Sequence, residues 1–441
     1  VIRNRDALAR TPTHGVALDA IEAGIEAAHP ETVVTETVSL SGDTLSIADE
    51  RYDLDSFERV LVLGGGKPAG AVAAALEAVL GERIDGGAVV TATPVETNRV
   101  TVHEGTHPLP SEANVRATSD VLDRARRADE DTLVLAVITG GASALLSAPA
   151  EGVTIEDLCA VTDGLLDAGA TIAELNAVRK HLSRLKGGQL ARELAPAMTV
   201  GVVFSDVVGN PLAVVASGPT APDSSTYAEA VAVLDRYDID PPAAVCERLG
   251  AGTAGDRPET PDPDSAVFDG VDNHVLADGQ TAVDAAAAVC ADAGYEPVVL
   301  STRVEGEARE AGRRQAAIAR ECLVTDDPVA PPVGLLSGGE TTVTVTGDGD
   351  GGPNQEFALA AGCNLDETAG RVVVGSVDTD GVDGASEAAG ALVEETVGGQ
   401  AAREALADND SETFLRGQDR LIETGPTGTN VNDLRVLLVG E

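Results

Sequence analysis

Only three of the 30 basic residues in this chain are lysines, and each lies in a segment whose composition invites an anion. Lys67 sits in VLVLGGGKPAG, residues 60–70. An apolar strand, then Gly64, Gly65 and Gly66, then Pro68 at a helix start would bring backbone N–H groups and the positive end of a helix to a phosphate. Lys67 adds a full charge there. The spacing is not GxxxxGK[ST], and the gap from Gly66 to Gly70 is one residue too long for GxGxxG. A second strand–turn, VITGGASALL (137–146), offers Gly140, Gly141 and Ser143 in the same manner. The other two lysines fall in NAVRKHLSRLKGGQLA (176–191), where Asn176, Arg179, Lys180, His181, Arg184 and Lys186 crowd together. At helical spacing Arg179, Ser183 and Lys186 share a face. Such a concentration of positive charge suits an anionic substrate, such as a carboxylate together with a triphosphate.

Carboxylates supply the complementary chemistry. Asp206 follows the apolar run Met198–Phe204, and reactive groups of α/β proteins stand at the carboxyl ends of strands. It could hold Mg²⁺, accept a hydroxyl proton, or simply close an Asx turn. GSVDTDGVDG (375–384) places Asp378, Asp380 and Asp383 after another strand. It resembles half of a calcium loop without the final Glu, so Mg²⁺ beside phosphates fits better than calcium. Two more polar, glycine-rich turns bound strands: GPNQEF (352–357) after GGE (338–340), and TGPTGTNVND (424–433). The chain contains no HExxH or His/Cys cluster, which argues against zinc, and no GxSxG elbow, which argues against an esterase. The five cysteines are scattered with no CxxC pair and read as free thiols in a reducing cytoplasm.

Positioning so many loops requires strands alternating with helices. A helix over 17–28 precedes a strand over 59–63, an Ala-rich helix through Leu80, strands over 88–92 and 100–104, a helix over 112–128, and strands over 132–138 and 198–204. This alternation predicts a mostly parallel sheet covered on both faces. Residues 250–264 (GAGTAGDRPETPDPD) read as a linker. Alternation resumes over 274–322, and a second break at 325–332 precedes expected strands over 333–336, 341–345, 371–376 and 435–439. The length of 441 residues calls for two domains, which we expect at 1–255 and 265–441. The expected fold class is therefore α/β in two lobes with a cleft.

The net charge of −43, with 73 acidic residues spread along the chain, argues against nucleic acid and anionic membrane as partners. No run of about 18 apolar residues suggests a membrane span. High acid with three lysines looks like adaptation to multimolar salt, where self-repulsion is screened.

Taken in order, GGGKPAG, THPLPSEAN (106–114), ITGGASALL, NAVRKHLSRLKGGQLA, SDVVGNP…ASGPTAPD, LLSGGETTVTV, GGPNQEFALA, DTDGVDG and TGPTGTNVNDL resemble the glycerate 2-kinase family, whose C-terminal part is the MOFRL domain. The resemblance runs from about residue 5 to 440. It implies a larger Rossmann-like N-terminal domain, a smaller α/β domain with its MOFRL-like part at about 333–440, and an active site in the cleft. It also implies ATP-dependent phosphorylation of D-glycerate at its 2-hydroxyl, with Mg²⁺ or a similar divalent cation, in a cytoplasmic monomer or homodimer. The functional lysine of the family falls on Lys67. On this reading Gly64, Gly65, Gly66, Gly140, Gly141 and Ser143 receive the ATP phosphates. Arg179, Lys180 and Asn354 receive the substrate, and Asp206 and Asp380 hold the metal or orient the hydroxyl. Two departures stand out: Pro353 replaces the Arg of a GGRNQE motif, and Asn210 replaces an Asp. Arg179 is the expected compensation for the lost Arg. An NAD(P)H-dependent hydroxypyruvate reductase, a kinase for another short hydroxy acid, and a binding module without turnover are the alternatives.

Overall fold

The computed structural model describes residues 1–365, 371–394 and 397–440. It divides into two compact units: Val33–Ser205 with Asn210–Leu276, and Val1–Thr32 with Asp206–Gly209 and Ala277–Glu441.

The first unit is built on six strands, in chain order Arg59–Gly65, Gly86–Thr91, Val100–Glu104, Thr132–Thr139, Met198–Phe204 and Val271–Ala277. Their order in the sheet is third, second, first, fourth, fifth, sixth. That is the dinucleotide-fold order, whose direction reverses between the first and fourth strands. The first strand pairs parallel with the second and the fourth, and the fourth with the fifth. Every residue of Thr132–Thr139 is buried, as expected for a strand covered on both faces. Helices Ala69–Leu80 and Glu112–Ala125 pack against this sheet. A Ser111 capping box with Asn114 begins the second of these helices. A small antiparallel sheet, Val38–Ser41, Thr44–Ile47 and Glu50–Asp53, was not expected from the sequence.

The second unit holds a mixed sheet in the order Glu296–Glu307, Val333–Thr342, Asp433–Val439, Val372–Asp378, Gly390–Glu394 and Leu421–Ile422. Its first pair is parallel and the remaining pairs antiparallel. Helices Pro12–Ala27 and Gly279–Asp292 pack on each other and on this sheet. Helices Ala308–Thr325 and Pro353–Gly362 form a core with Val333, Leu335, Val374 and Leu437.

The expected division at residues 255–265 therefore differs from the observed one. The opening helix buries Leu18, Ile21 and Ile25, and that apolar stripe belongs with the C-terminal sheet rather than with the segments that follow it in sequence. The stretch taken as a linker lies in the first unit: helix Ala243–Thr253 packs there, and the Asp223 amide donates to the Pro261 carbonyl. The strands expected at 333–336 and 341–345 are one strand, Val333–Thr342, which runs through Ser337-Gly338-Gly339 without turning.

Candidate functional site

At the carboxyl ends of Arg59–Gly65 and Thr132–Thr139, where the topology opens a crevice, the chain leaves through Gly66-Lys67 and Gly140-Gly141. The two exits are fastened together. The Lys67 amide donates to the Gly140 carbonyl (2.7 Å), and the Gly66 amide to the Val90 carbonyl (3.0 Å). Gly64 and Gly66 have φ of 145° and 136°. A Cβ on Gly64 would run into the Val137 carbonyl, and one on Gly66 into Thr139. Gly64 and Gly65 also lie within the strand, in register with Val89 and Val90 on one side and Val137 and Ile138 on the other.

These glycines let strand ends approach closely, and the Gly66 amide is already used. Of the three glycines expected to cradle phosphates, Gly64, Gly65 and Gly66, the last therefore gives its amide to the fold. Their contribution is to set Lys67 at the crevice. Gly141, at φ 79°, completes the arrangement: a Cβ there would lie 2.9 Å from Lys67 Cγ and 3.1 Å from His107 Nε2.

Beside this cluster is a pocket of about 400 Å³ in the first unit. Its polar wall is formed by His107, Ser143, Arg179, Ser183 and Lys186, and its apolar wall includes Leu109, Leu158 and Leu166. Helix Ile172–His181 stops before Ser183, so the expected common helical face does not exist. The turn that follows nevertheless returns Ser183 and Lys186 to the pocket that Arg179 lines.

Lys186 is buried and donates to the carbonyls of Ser143 (2.7 Å) and Leu146 (3.2 Å). Burial, and then the charge of Arg179, push its pKa down to about 7. Ser143 Oγ lies 2.7 Å from Ser217 Oγ, which donates to Asn176 Oδ1 (3.0 Å). Ala216 and Ser217 have φ of 53° and 62°, so two successive non-glycine residues hold left-handed backbone where Ser217 meets Ser143. Arg179 is partly buried and makes no hydrogen bond or ion pair with the described residues. Burial lowers its pKa, and the charge of Asp163 opposes that shift. An unmatched guanidinium in a pocket is a receptor for a carboxylate or phosphate.

Two expected substrate residues do not fit that role. Lys180 Nζ is 2.9 Å from Asp223 Oδ1, with side chains only 7% and 4% exposed. Asn354 donates through its amide to Asp383 (2.9 Å) and through Nδ2 to Asp433 (2.6 Å), and its Oδ1 accepts from Ser376 (2.5 Å). Pro353 occupies the first turn of helix Pro353–Gly362, where its fixed φ and missing N–H are tolerated.

The second unit gathers carboxylates at one end of its sheet. Asp433 begins its strand in register with Gly339 and Asp378, beside Glu340. Burial, then Asp206, Asp433 and Glu305, raise Glu340 to about 7. Burial, then Asp380 and Asp433, raise Asp378. Asp383 is also raised to about 7 by burial, although it accepts the amides of Asn354 and Gln355. Asp380 Oδ1 accepts the Val382 amide (2.9 Å), which closes an Asx turn. Among the described residues no three His, Cys, Asp or Glu are grouped so as to hold a metal.

Sequence reasoning passed over Glu340, Asp433, His107 and Ser217. Their segments (GGE, NVND, THPLPSEAN and ASGP) were singled out, but only the pairing of distant strands shows which members meet.

Residues 16–250 match the family described as Domain of unknown function (DUF4147), and residues 333–433 match the MOFRL family. A Thermotoga maritima protein named D-glycerate 2-kinase is 37% identical over 96% of this chain and 98% of its own length. An Agrobacterium vitis protein with a provisional name, hydroxypyruvate reductase, is 40% identical over 87% of each chain. The crystal structure of a glycerate kinase from Thermotoga maritima superposes with a TM-score of 0.84 at 36% identity, covering 96% of this chain and 99% of that one.

Proposed function

The chain belongs to the glycerate 2-kinase family, and from that premise we propose that it transfers the γ-phosphoryl group of ATP to the 2-hydroxyl of D-glycerate, giving 2-phosphoglycerate and ADP. The observation that carries the reading is the near full-length match to a D-glycerate 2-kinase. The pocket supports it with the positive groups Arg179 and Lys186, as expected where phosphoryl transfer depends on positioning and charge neutralisation.

In this mechanism Arg179 holds the glycerate carboxylate by a two-pronged contact. Lys67 neutralises charge that develops on the transferring group. The Ser143 hydroxyl, whose one proton goes to Ser217, turns that proton to a phosphate oxygen on binding, while Lys186 fixes the loop that carries Ser143. Gly140 and Gly141 shape that loop. Asp206 and Asp380 are the carboxylates we assign to Mg²⁺, which when bound offsets phosphate charge. The fit is one of charge: burial, then the charges of Asp206, Asp433 and Glu305, raise Glu340 to about 7, and a cation would offset that gathered negative charge. The lack of a three-residue group among the described residues is compatible with Mg²⁺, which takes one or two protein carboxylates and keeps water and phosphate oxygens.

The experiment is a coupled assay with D-glycerate, ATP and Mg²⁺ in multimolar KCl, reading 2-phosphoglycerate with enolase. ADP release without an enolase signal would overturn the regiochemistry, and no ADP release would overturn the kinase.

The Agrobacterium name keeps a reductase as the second reading. Two observations weigh against it. The glycine triplet is filled by strand packing, and Asp85 accepts the Val60 amide (2.8 Å) instead of standing free for a ribose. NADH oxidation by hydroxypyruvate would restore it. We further propose a cytoplasmic monomer or homodimer adapted to high salt, supported by the −43 charge and the three lysines. No helix among the described residues is long and apolar enough to cross a membrane.

A further inference from the structure

Positive charge is scarce in this chain, yet four of its arginines line one pocket of the second unit, apart from every residue given a catalytic role above. The pocket, about 490 Å³, is lined by Arg309, Arg313, Arg320 and Arg403, with Asn364 and Leu406 among its other residues. Three of these arginines come from helix Ala308–Thr325 at offsets of four and seven residues, which places them on one stripe. Arg403 comes from helix Gln400–Ala407, and Asn364 follows helix Pro353–Gly362.

Among the described residues, the partners of Arg309, Arg313 and Arg320 leave most of their charge unmatched. Arg320 has no hydrogen bond or ion pair with the described residues. Among the described residues Arg313 meets only Glu310, three residues away, with both side chains 46% exposed. A surface pair of that kind contributes about 0–1 kcal/mol and exchanges readily. Arg309 gives its Nε to Glu356 (2.7 Å), and its Nη2 is buried without a hydrogen-bond partner among the described residues. In a chain of net charge −43, gathering guanidinium groups around a concavity runs against composition. A stripe meant only to be solvated could have used the charge this chain uses everywhere else.

We propose that this pocket binds an anion bearing two phosphate groups, with Arg309, Arg313 and Arg320 as its receptors. Guanidinium forks match phosphate oxygens bidentately. The volume is in the range of small-ligand pockets, wide enough for a diphosphate with or without an attached nucleoside. The site is separate from the kinase reading and stands or falls without it.

The test is calorimetric titration of the full chain with inorganic pyrophosphate and, separately, with ADP. To remove the contribution of the proposed catalytic pocket, the titrations use the Lys67→Ala, Arg179→Ala variant, and are repeated after adding Arg313→Ala and Arg320→Ala. The expected result is one pyrophosphate per chain, weakened at least tenfold by the second pair of substitutions with the thermal midpoint preserved. Tighter binding of ADP than pyrophosphate would assign a nucleotide, and equal binding an inorganic diphosphate, both upholding the site. Absence of binding before the second pair is introduced, or affinity unchanged after it, would overturn the proposal.

Discussion

Lys67 and Arg179 carry separable tasks, and kinetics should divide them. Lys67 acts on charge that grows during transfer, so Lys67→Ala should cut kcat by about 10²–10⁴ with the urea midpoint unchanged. Arg179 holds a charge already present in the substrate, so Arg179→Ala should mainly raise the KM for glycerate. Equal losses of kcat from both variants would show that Arg179 acts in the transition state as well. Lys186 makes a different claim, about stability. Its pKa is pushed from the usual lysine range down to about 7 by burial, so the folded state sheds this proton before the unfolded chain does. Below pH 7 both states are protonated and the full burial cost is present. Between pH 7 and about 10.4 the unfolded state binds more protons, and stability rises by up to about 1.4 kcal/mol per pH unit from this group. Lys186→Met should flatten that rise in denaturant titrations at pH 7, 8 and 9. A slope equal to that of the parent protein would assign it to other groups. The lysines could be singled out from composition alone because they are rare, but Lys180 shows the limit. Its ion pair with Asp223 joins residues far apart in sequence, and nothing local separates it from Lys186.

Strand ends decide where these side chains stand. Gly64→Ala would force a Cβ against the Val137 carbonyl at φ 145°, where neither backbone can yield without parting two central strands. We expect about 2–4 kcal/mol of destabilisation by urea titration, with activity lost in proportion to the displacement of Lys67. An alanine variant with unchanged midpoint would mean that the strand exit tolerates a side chain, and the close-packing role would fail. At this scale the sequence was informative where burial is two-sided: the apolar runs Thr132–Thr139 and Met198–Phe204 could be read almost to the residue. It was less informative where small residues continue a strand. Ser337-Gly338-Gly339 has turn composition yet lies inside a strand, because its neighbours on both sides supply the hydrogen bonds. The carboxylate cluster was hidden for a related reason. Glu340, Asp378 and Asp433 meet through antiparallel pairings, Gly339 with Asp433 and Asp378 with Asp433, that join residues 94 and 55 positions apart.

For the molecule as a whole, alternation of strands and helices was enough to give the α/β class, because each sheet must be covered on both faces. The division into units was not legible. An amphipathic helix such as Pro12–Ala27 shows that it has an apolar stripe, but not which sheet receives it. Net charge acts at this scale too, and leads to a prediction independent of the fold. A chain of 441 residues carrying −43 repels itself at every separation shorter than the screening length. That length is about 10 Å at 0.1 M salt and about 3 Å at 1 M, so most of the repulsion should vanish across this interval and little between 1 M and 3 M. The thermal midpoint should therefore climb steeply from 0.1 to 1 M KCl and level off beyond it. A midpoint that continues to rise in proportion to concentration up to 3 M would instead indicate exclusion of salt from the surface, which has no such saturation. A midpoint indifferent to KCl would show that the acidic residues cost the folded state nothing in dilute buffer, and salt adaptation would have to be abandoned.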